Sequence, residues 1–166
     1  VRADTPKARV VRCEIICRNT RMGRIVCVAN QKGGVGKTTT ASNVAAGLAK
    51  AGMQTLLVDL DPQCNATTGL GGVPAKTHPL VSEAALGENV VSTAVTNLSL
   101  LPGSRSVRDV ERIAEHARAG SMVLSNHLSC GLNAWDYCLI DCPPSLGELT
   151  RTALAGSTEV LMPIQC

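Results

Sequence analysis

The sequence predicts an α/β fold, a parallel β-sheet flanked by helices and organised around a glycine-rich loop. Three observations carry this expectation. Short apolar runs alternate with glycine-rich loops and helical segments, which is the pattern of successive βα units. The runs are continuously apolar, as strands buried on both faces require. Two of the clearest runs end on an aspartate with proline close behind, so acidic groups fall at strand tips. The 166 residues, 45% of them apolar, suffice for one domain with a core. With no Phe, one Trp and one Tyr, aliphatic and alanine packing must replace the area aromatics normally bury, which favours helices lying close on the sheet.

In chain order, residues 1–21 form a basic extension ahead of a domain placed at 22–166. Seven basic residues within 1–24 outweigh Asp4 and Glu14 to give that stretch +5, leaving −2 for the remainder of a chain whose total is +3. Such an arm can bind nucleic acid or a partner, or be a disordered or non-native leader. Met22-Gly23-Arg24-Ile25 reads as a natural start, so the leader reading is preferred. Residues 25–29 make the first strand and run directly into the glycine loop. Residues 38–51 place Ala41, Val44, Ala45, Leu48 and Ala49 at helical spacing, with Gly52 where a left-handed cap belongs. Residues 55–60 form a second buried strand, closed by Asp61-Pro62. Residues 63–80, rich in Gly, Thr, Asn and Pro, read as loop with little regular structure.

Residues 98–102 are a short strand. Ser106 and Asp109 have capping-box spacing for a helix to about residue 119, and a further helix is expected over 122–128. Residues 137–141 form a late strand ended by Cys142-Pro143-Pro144, after which Ser145 and Glu148 repeat the capping-box spacing for a helix through residue 155. Residues 159–164 are the last strand. A sheet that stops on a strand, with no closing helix, reads as truncated.

No apolar run nears the roughly 18 residues that cross a bilayer, and the stretch around Ile15-Ile16 is too short for a secretory signal. A cytoplasmic location and no membrane partner are therefore expected. The eight cysteines are scattered through the chain and read as thiols of a reducing compartment. Cys13/Cys17 and Cys138/Cys142 are each four apart, but neither has a second pair at zinc-like spacing.

The chemistry concentrates in Lys32-Gly33-Gly34-Val35-Gly36-Lys37-Thr38-Thr39. In a G-x-x-x-x-G-K-[ST] loop, backbone N–H groups cradle phosphate oxygens, the lysine neutralises them and the hydroxyl holds magnesium. Here Gln31 replaces the first glycine, while Gly36-Lys37-Thr38 keeps its place between a strand and a helix whose N-terminus adds positive charge. The dinucleotide fingerprint fails because Thr39 stands where it needs a glycine. Lys32 is either a solvated surface charge or a group that completes a charged transition state. Phosphate chemistry also needs carboxylates for magnesium and for the attacking water. Asp59 and Asp61 follow the second strand and Asp141 ends the strand Leu139-Ile140-Asp141, although a strand-end aspartate can simply cap a turn.

Asn30-Gln31-Lys32-Gly33-Gly34-Val35-Gly36-Lys37-Thr38-Thr39-Thr40, Leu57-Val58-Asp59-Leu60-Asp61-Pro62-Gln63 and Ile140-Asp141-Cys142-Pro143-Pro144-Ser145-Leu146-Gly147 together resemble the ParA (Soj-like) partition ATPases of the ParA/MinD superfamily, whose loop is a deviant Walker A motif. The resemblance runs from about Met22 to Cys166. It implies ATP and Mg2+ as cofactors and a homodimer with ATP sandwiched between subunits. Lys32 looks like the signature lysine that reaches the partner's phosphates, and Lys37 like the Walker lysine. Thr38 would hold magnesium, Thr39 would lie near the α-phosphate, Asp61 would polarise the attacking water, Asp141 would bind magnesium through water, and Asp59 would support them. The loop after Pro62 would be the nucleotide-sensing switch.

Such proteins dimerise on ATP, coat DNA without sequence preference and are stimulated to hydrolyse by a ParB-like partner. The chain is thus expected to be a weak, partner-stimulated, magnesium-dependent ATPase in plasmid or chromosome partition, its DNA-binding region absent from this sequence. Cys64 departs from the family, which usually has Gly after Asp-Pro-Gln, and this could stiffen or shift the switch. A MinD-like membrane-cycling regulator is one alternative, disfavoured by Asp61-Pro62-Gln63. An iron–sulfur reductase is another, disfavoured because Cys130 and Cys142 lack that family's flanking glycines. A third is a non-functional fragment.

Overall fold

The computed structural model describes residues 23–79, 86–108 and 134–165. Six strands form one sheet: β1 (Arg24–Val28), β2 (Thr55–Asp59), β3 (Val91–Ser92), β4 (Leu98–Leu101), β5 (Tyr137–Asp141) and β6 (Glu159–Leu161). Their order is β3-β4-β2-β5-β1-β6. Every pairing is parallel except that of β3 with β4, which is antiparallel and forms one edge. β2 and β5 are the most deeply covered strands: β2 is buried along its whole length and β5 at every residue but Tyr137. The continuous apolar runs in these strands follow from their having no solvent face.

The helices are α1 (Lys37–Lys50), α2 (Asn65–Gly69), α3 (Leu86–Asn89) and α4 (Glu148–Gly156). α1 buries Ala41, Ala45 and Ala49 against Val28, Leu57 and Leu139. Small side chains four residues apart lie on one helical stripe, so the helix axis sits close to the sheet, as the shortage of aromatics demands. Val44, expected on this face, is instead 38% exposed, and Leu48 is half-buried. The opposite sheet face packs Cys27, Leu56, Val58, Cys138 and Ile140 against Ala153 of α4. Each fully buried leucine contributes about 1.5–3 kcal/mol relative to exposure.

α1 ends as expected. Gly52 has φ +92°, its N–H donates to Ala49 O at 3.0 Å, and Met53 N–H donates to Leu48 O at 3.1 Å. This is the paired bond set of a Schellman cap.

Four expectations need correction. Residues 63–80 are not wholly loop, because α2 forms directly after Cys64. Its five residues are too short for a periodicity to show in sequence. The antiparallel β3 was not anticipated, since two exposed residues carry no pattern. Ser145 does not cap α4; Gly147 occupies the N-cap, and no side chain bonds there. The last strand stops at Leu161, short of Pro163, which has no N–H to continue a ladder. The expected helix over 122–128, most of the one over 106–119 and the extension 1–21 lie outside the described residues. Ser106, expected to cap the helix over 106–119, accepts a bond from His78 N–H at 3.0 Å.

Candidate functional site

The strand register brings the separated motifs to one edge. Val28, the last residue of β1, pairs with Asp141, and Asp141 pairs with Asp59 across β5 and β2. All three strands are parallel, so their C-terminal ends meet beside the loop that leaves β1. In open α/β sheets this is where ligands bind.

The loop is held open by its own backbone. Asn30 donates through Nδ2 to Pro163 O at 2.8 Å and accepts from Lys32 N–H through Oδ1 at 2.9 Å, which turns the chain out of the strand. Gly34 and Gly36 have φ +75° and +83°, a left-handed region that strains any residue with a Cβ. A Cβ placed at Gly33, Gly34 or Gly36 would meet nothing within 4 Å, so the concave side of the loop is open space. Gly36 caps α1 with no side-chain bond, leaving the first-turn N–H groups to face that space. Val35 is half-buried.

Lys37 is buried and donates from Nζ to Lys32 O at 3.0 Å, which stretches its ammonium across the mouth of the loop. Thr38 is half-buried, and Thr39 and Lys32 are exposed. The loop, Lys37, Thr38, Asp59, Asp61 and Asp141 are thus brought to one end of the sheet, and Lys32, in the loop, keeps an exposed side chain.

The carboxylates differ in their partners. Asp61 is buried, its Oδ1 accepting from Gln63 N–H at 2.8 Å. Asp59 is fully buried and accepts from Asp61 N–H at 3.2 Å, Thr67 N–H at 2.8 Å and the Thr67 hydroxyl at 2.6 Å. Burial raises its pKa, Thr67 and the Asp61 amide pull it down, and the Asp61 charge raises it. Both oxygens of Asp141 are buried with no hydrogen bond of acceptable geometry. Burial pushes the Asp141 carboxyl up to about 7; the Thr38 hydroxyl and Lys37 lie near enough to oppose the rise, while the charges of Asp59 and Asp61 add to it.

An orphaned buried carboxylate beside a threonine hydroxyl and an open loop of amides fits a divalent cation carrying a polyphosphate. Among the described residues no three His, Cys, Asp or Glu side chains gather as a metal cage. Magnesium takes one or two protein ligands and fills its shell with water and phosphate.

The described cysteines are free thiols, as expected. Cys27 and Cys142 bring their Sγ atoms to 3.4 Å in the core on the face away from α1, and burial pushes Cys138 up to about 12. Cys64 has φ +56°, the left-handed conformation in which a glycine would be unstrained.

Sequence reasoning missed Asn30, Thr67 and Gly103 as members of the site. An asparagine entering a glycine loop is a turn signal that could have marked Asn30. No motif marks the other two, which bond each other across 36 residues of sequence.

The sequence pattern of the AAA_31 family, described as an AAA domain, matches residues 23–166. Over 150 residues the chain is 42% identical to the sporulation initiation inhibitor protein Soj of Bacillus subtilis (strain 168), covering 87% of this chain and 59% of that protein. It is 43% identical over 150 residues to the chromosome partitioning protein ParA of Myxococcus xanthus (strain DK1622), covering 87% of this chain and 53% of that one. Among solved structures, cobyrinic acid a,c-diamide synthase from Mycobacterium smegmatis with bound ADP and magnesium superposes with a TM-score of 0.82 at 37% identity, over 87% of this chain and 61% of that one. The chain therefore spans less than two thirds of the length of each.

Proposed function

We propose that this chain, which belongs to the AAA_31 family, carries the nucleotide site of a magnesium-dependent ATPase that acts as a dimerisation switch in plasmid or chromosome partition. The observation that carries the reading is the register: Asp59 and Asp141 are cross-strand partners beside Val28, so an orphaned carboxylate sits next to an open phosphate loop.

The amides of Gly33, Gly34, Val35 and Gly36 and the first turn of α1 bind the phosphates, and Lys37 neutralises them. Thr39 lies near the α-phosphate. Thr38 and, through water, Asp141 would hold Mg2+ with Asp61 beside them, and the ion when bound would supply charge neutralisation at the transferred phosphoryl group. Asp61 orients the attacking water through the carboxylate oxygen not taken by Gln63. Asp59 supports that placement. Lys32, whose side chain is exposed, would reach the phosphates of a second subunit, so the catalytic set is Lys32, Lys37 and Asp61.

The partition role rests on the ParA and Soj relatives. A homodimer with sandwiched ATP, a ParB-like activator, non-specific DNA and a cytoplasmic, nucleoid-associated location follow from the resemblance. No helix among the described residues is long and apolar enough to cross a membrane.

Calorimetry with ATP and Mg2+ tests the reading. The Lys37→Ala variant is expected to lose binding by at least about a hundredfold, since it removes a charge-assisted contact and leaves phosphate charge unpaired. ATP turnover and affinity unchanged in Lys37→Ala would overturn it.

A further inference from the structure

Asp59 ends β2 with its side chain on the α1 face, fully buried yet not aimed at the loop. A buried carboxylate is stable only when its lone pairs are satisfied. Here the donors come from both ends of one segment. Oδ1 takes Asp61 N–H at 3.2 Å, and Oδ2 takes Thr67 N–H at 2.8 Å and the Thr67 hydroxyl at 2.6 Å. Residues 61–67 are thereby closed into a ring by a single side chain.

Inside the ring, Gln63 N–H donates to Asp61 Oδ1 at 2.8 Å and Cys64 N–H to Asp61 O at 2.8 Å. The carboxyl and carbonyl of Asp61 are therefore both tied within it. The Thr67 hydroxyl, having donated to Asp59, accepts from Gly103 N–H at 2.8 Å. A hydroxyl can do both, whereas valine, its near-isostere, can do neither. Gly103 is pressed against the clasp: a Cβ there would lie 2.9 Å from Asp59 Cγ, 3.0 Å from its Oδ2 and 3.2 Å from Cys64 Sγ.

We propose that Asp59 and Thr67 form a clasp that positions the Asp61 carboxyl, and that the Thr67 hydroxyl ties this placement to the turn after β4 at Gly103. Both are positioning residues. The clasp deepens the function proposed above and rests on it for the identity of Asp61 as the water-orienting group. A merely structural pair would weaken folding and nucleotide binding along with hydrolysis. A positioning pair acts on hydrolysis, because small displacements of a reacting group cost far more in rate than in binding.

The test is Thr67→Val and Thr67→Ser in the full-length protein. Thr67→Val is expected to lower kcat about tenfold with the Kd for ATP within about twofold, and Thr67→Ser to restore kcat. On an Asp61→Ala background, Thr67→Val should have no further effect on kcat. Hydrogen exchange in the nucleotide-free protein supplies a second readout. The amides of Asp61 and Gly103 should exchange faster in Thr67→Val, while those of α1 stay unchanged. Unchanged exchange at Asp61, or parallel losses in kcat and ATP affinity, would overturn the clasp. The exchange measurement decides it even where turnover is absent, and Lys37→Ala separately decides the ATPase reading.

Discussion

The two ends of the sheet are built to opposite rules. At the N-terminal ends of the strands, polar groups are paired. Arg24 makes two bonds of 2.6 Å to Glu159 and lies 5.7 Å from the centre of the Tyr137 ring. Gln54 N–H donates to the Asp136 carboxylate at 2.8 Å, and the Gln54 side chain donates to Asn97 Oδ1 at 3.1 Å. The left-handed residue at this end, with φ +64°, is Asn97, a residue type that tolerates that conformation. At the C-terminal ends, Asp141 is buried without a hydrogen bond, the charges of Asp59 and Asp61 act on it, and the left-handed residue is Cys64, which does not tolerate it well. Unsatisfied polar groups and backbone strain gather where a ligand would compensate them, and at the far end the polar groups are paired.

The largest effect that separates the ends is expected at Asp141. Its folded pKa is raised from 3.8 to about 7 by burial, so between those values the folded protein holds a proton that the unfolded chain has released. Stability from this group is full below about pH 4 and is lost as pH rises through about 7, at up to about 1.4 kcal/mol per pH unit. Asp141→Asn should flatten that slope in nucleotide-free denaturation curves between pH 5 and 8, and should abolish the magnesium dependence of ATP binding. A slope unchanged by Asp141→Asn would place the strain elsewhere.

Gly103→Ala ranks next. The added Cβ meets Asp59 and Cys64, both held in place, so a loss of about 1–3 kcal/mol in urea unfolding is expected with slower hydrolysis. A variant as stable as the parent would mean that the turn after β4 gives way freely. Arg24→Ala should have the smallest effect. Its pair with Glu159 is solvent-exposed, where such bridges contribute little, so ATP affinity should not change and the thermal midpoint should barely move. A marked loss of ATP affinity would show that the two ends are coupled.

Much of the scaffold was readable from local pattern. β1, β2 and β5 were found because strands without a solvent face must be continuously apolar, and α1 because its alanines recur at helical spacing and Gly52 closes it. The cases that failed share a cause. α2 and β3 are too short to show a period, and Val44 sits at helical spacing yet beyond the edge of the buried stripe. Ser145 has the right spacing for a cap, but the turn donating Ser145 N–H to Pro143 O at 2.8 Å shifts the helix start to Gly147. The candidate site divides in the same way. Lys37, Thr38, Asp61 and Asp141 were legible because loop chemistry and strand tips are local features. Thr67 and Gly103 were not, because the one follows Asp59 through an irregular turn and the other meets it from the end of β4.

The sequence by itself determined the glycine loop, the apolar strands, the strand-tip acids and the family, since each depends on residues near one another in the chain. Only the tertiary structure decided that β5 lies between β1 and β2, so that Asp141 is buried beside the loop, and that Asp59 is held by Thr67. Parallel strands are neighbours through crossover connections, and backbone pairing that distant leaves no periodic mark in the sequence.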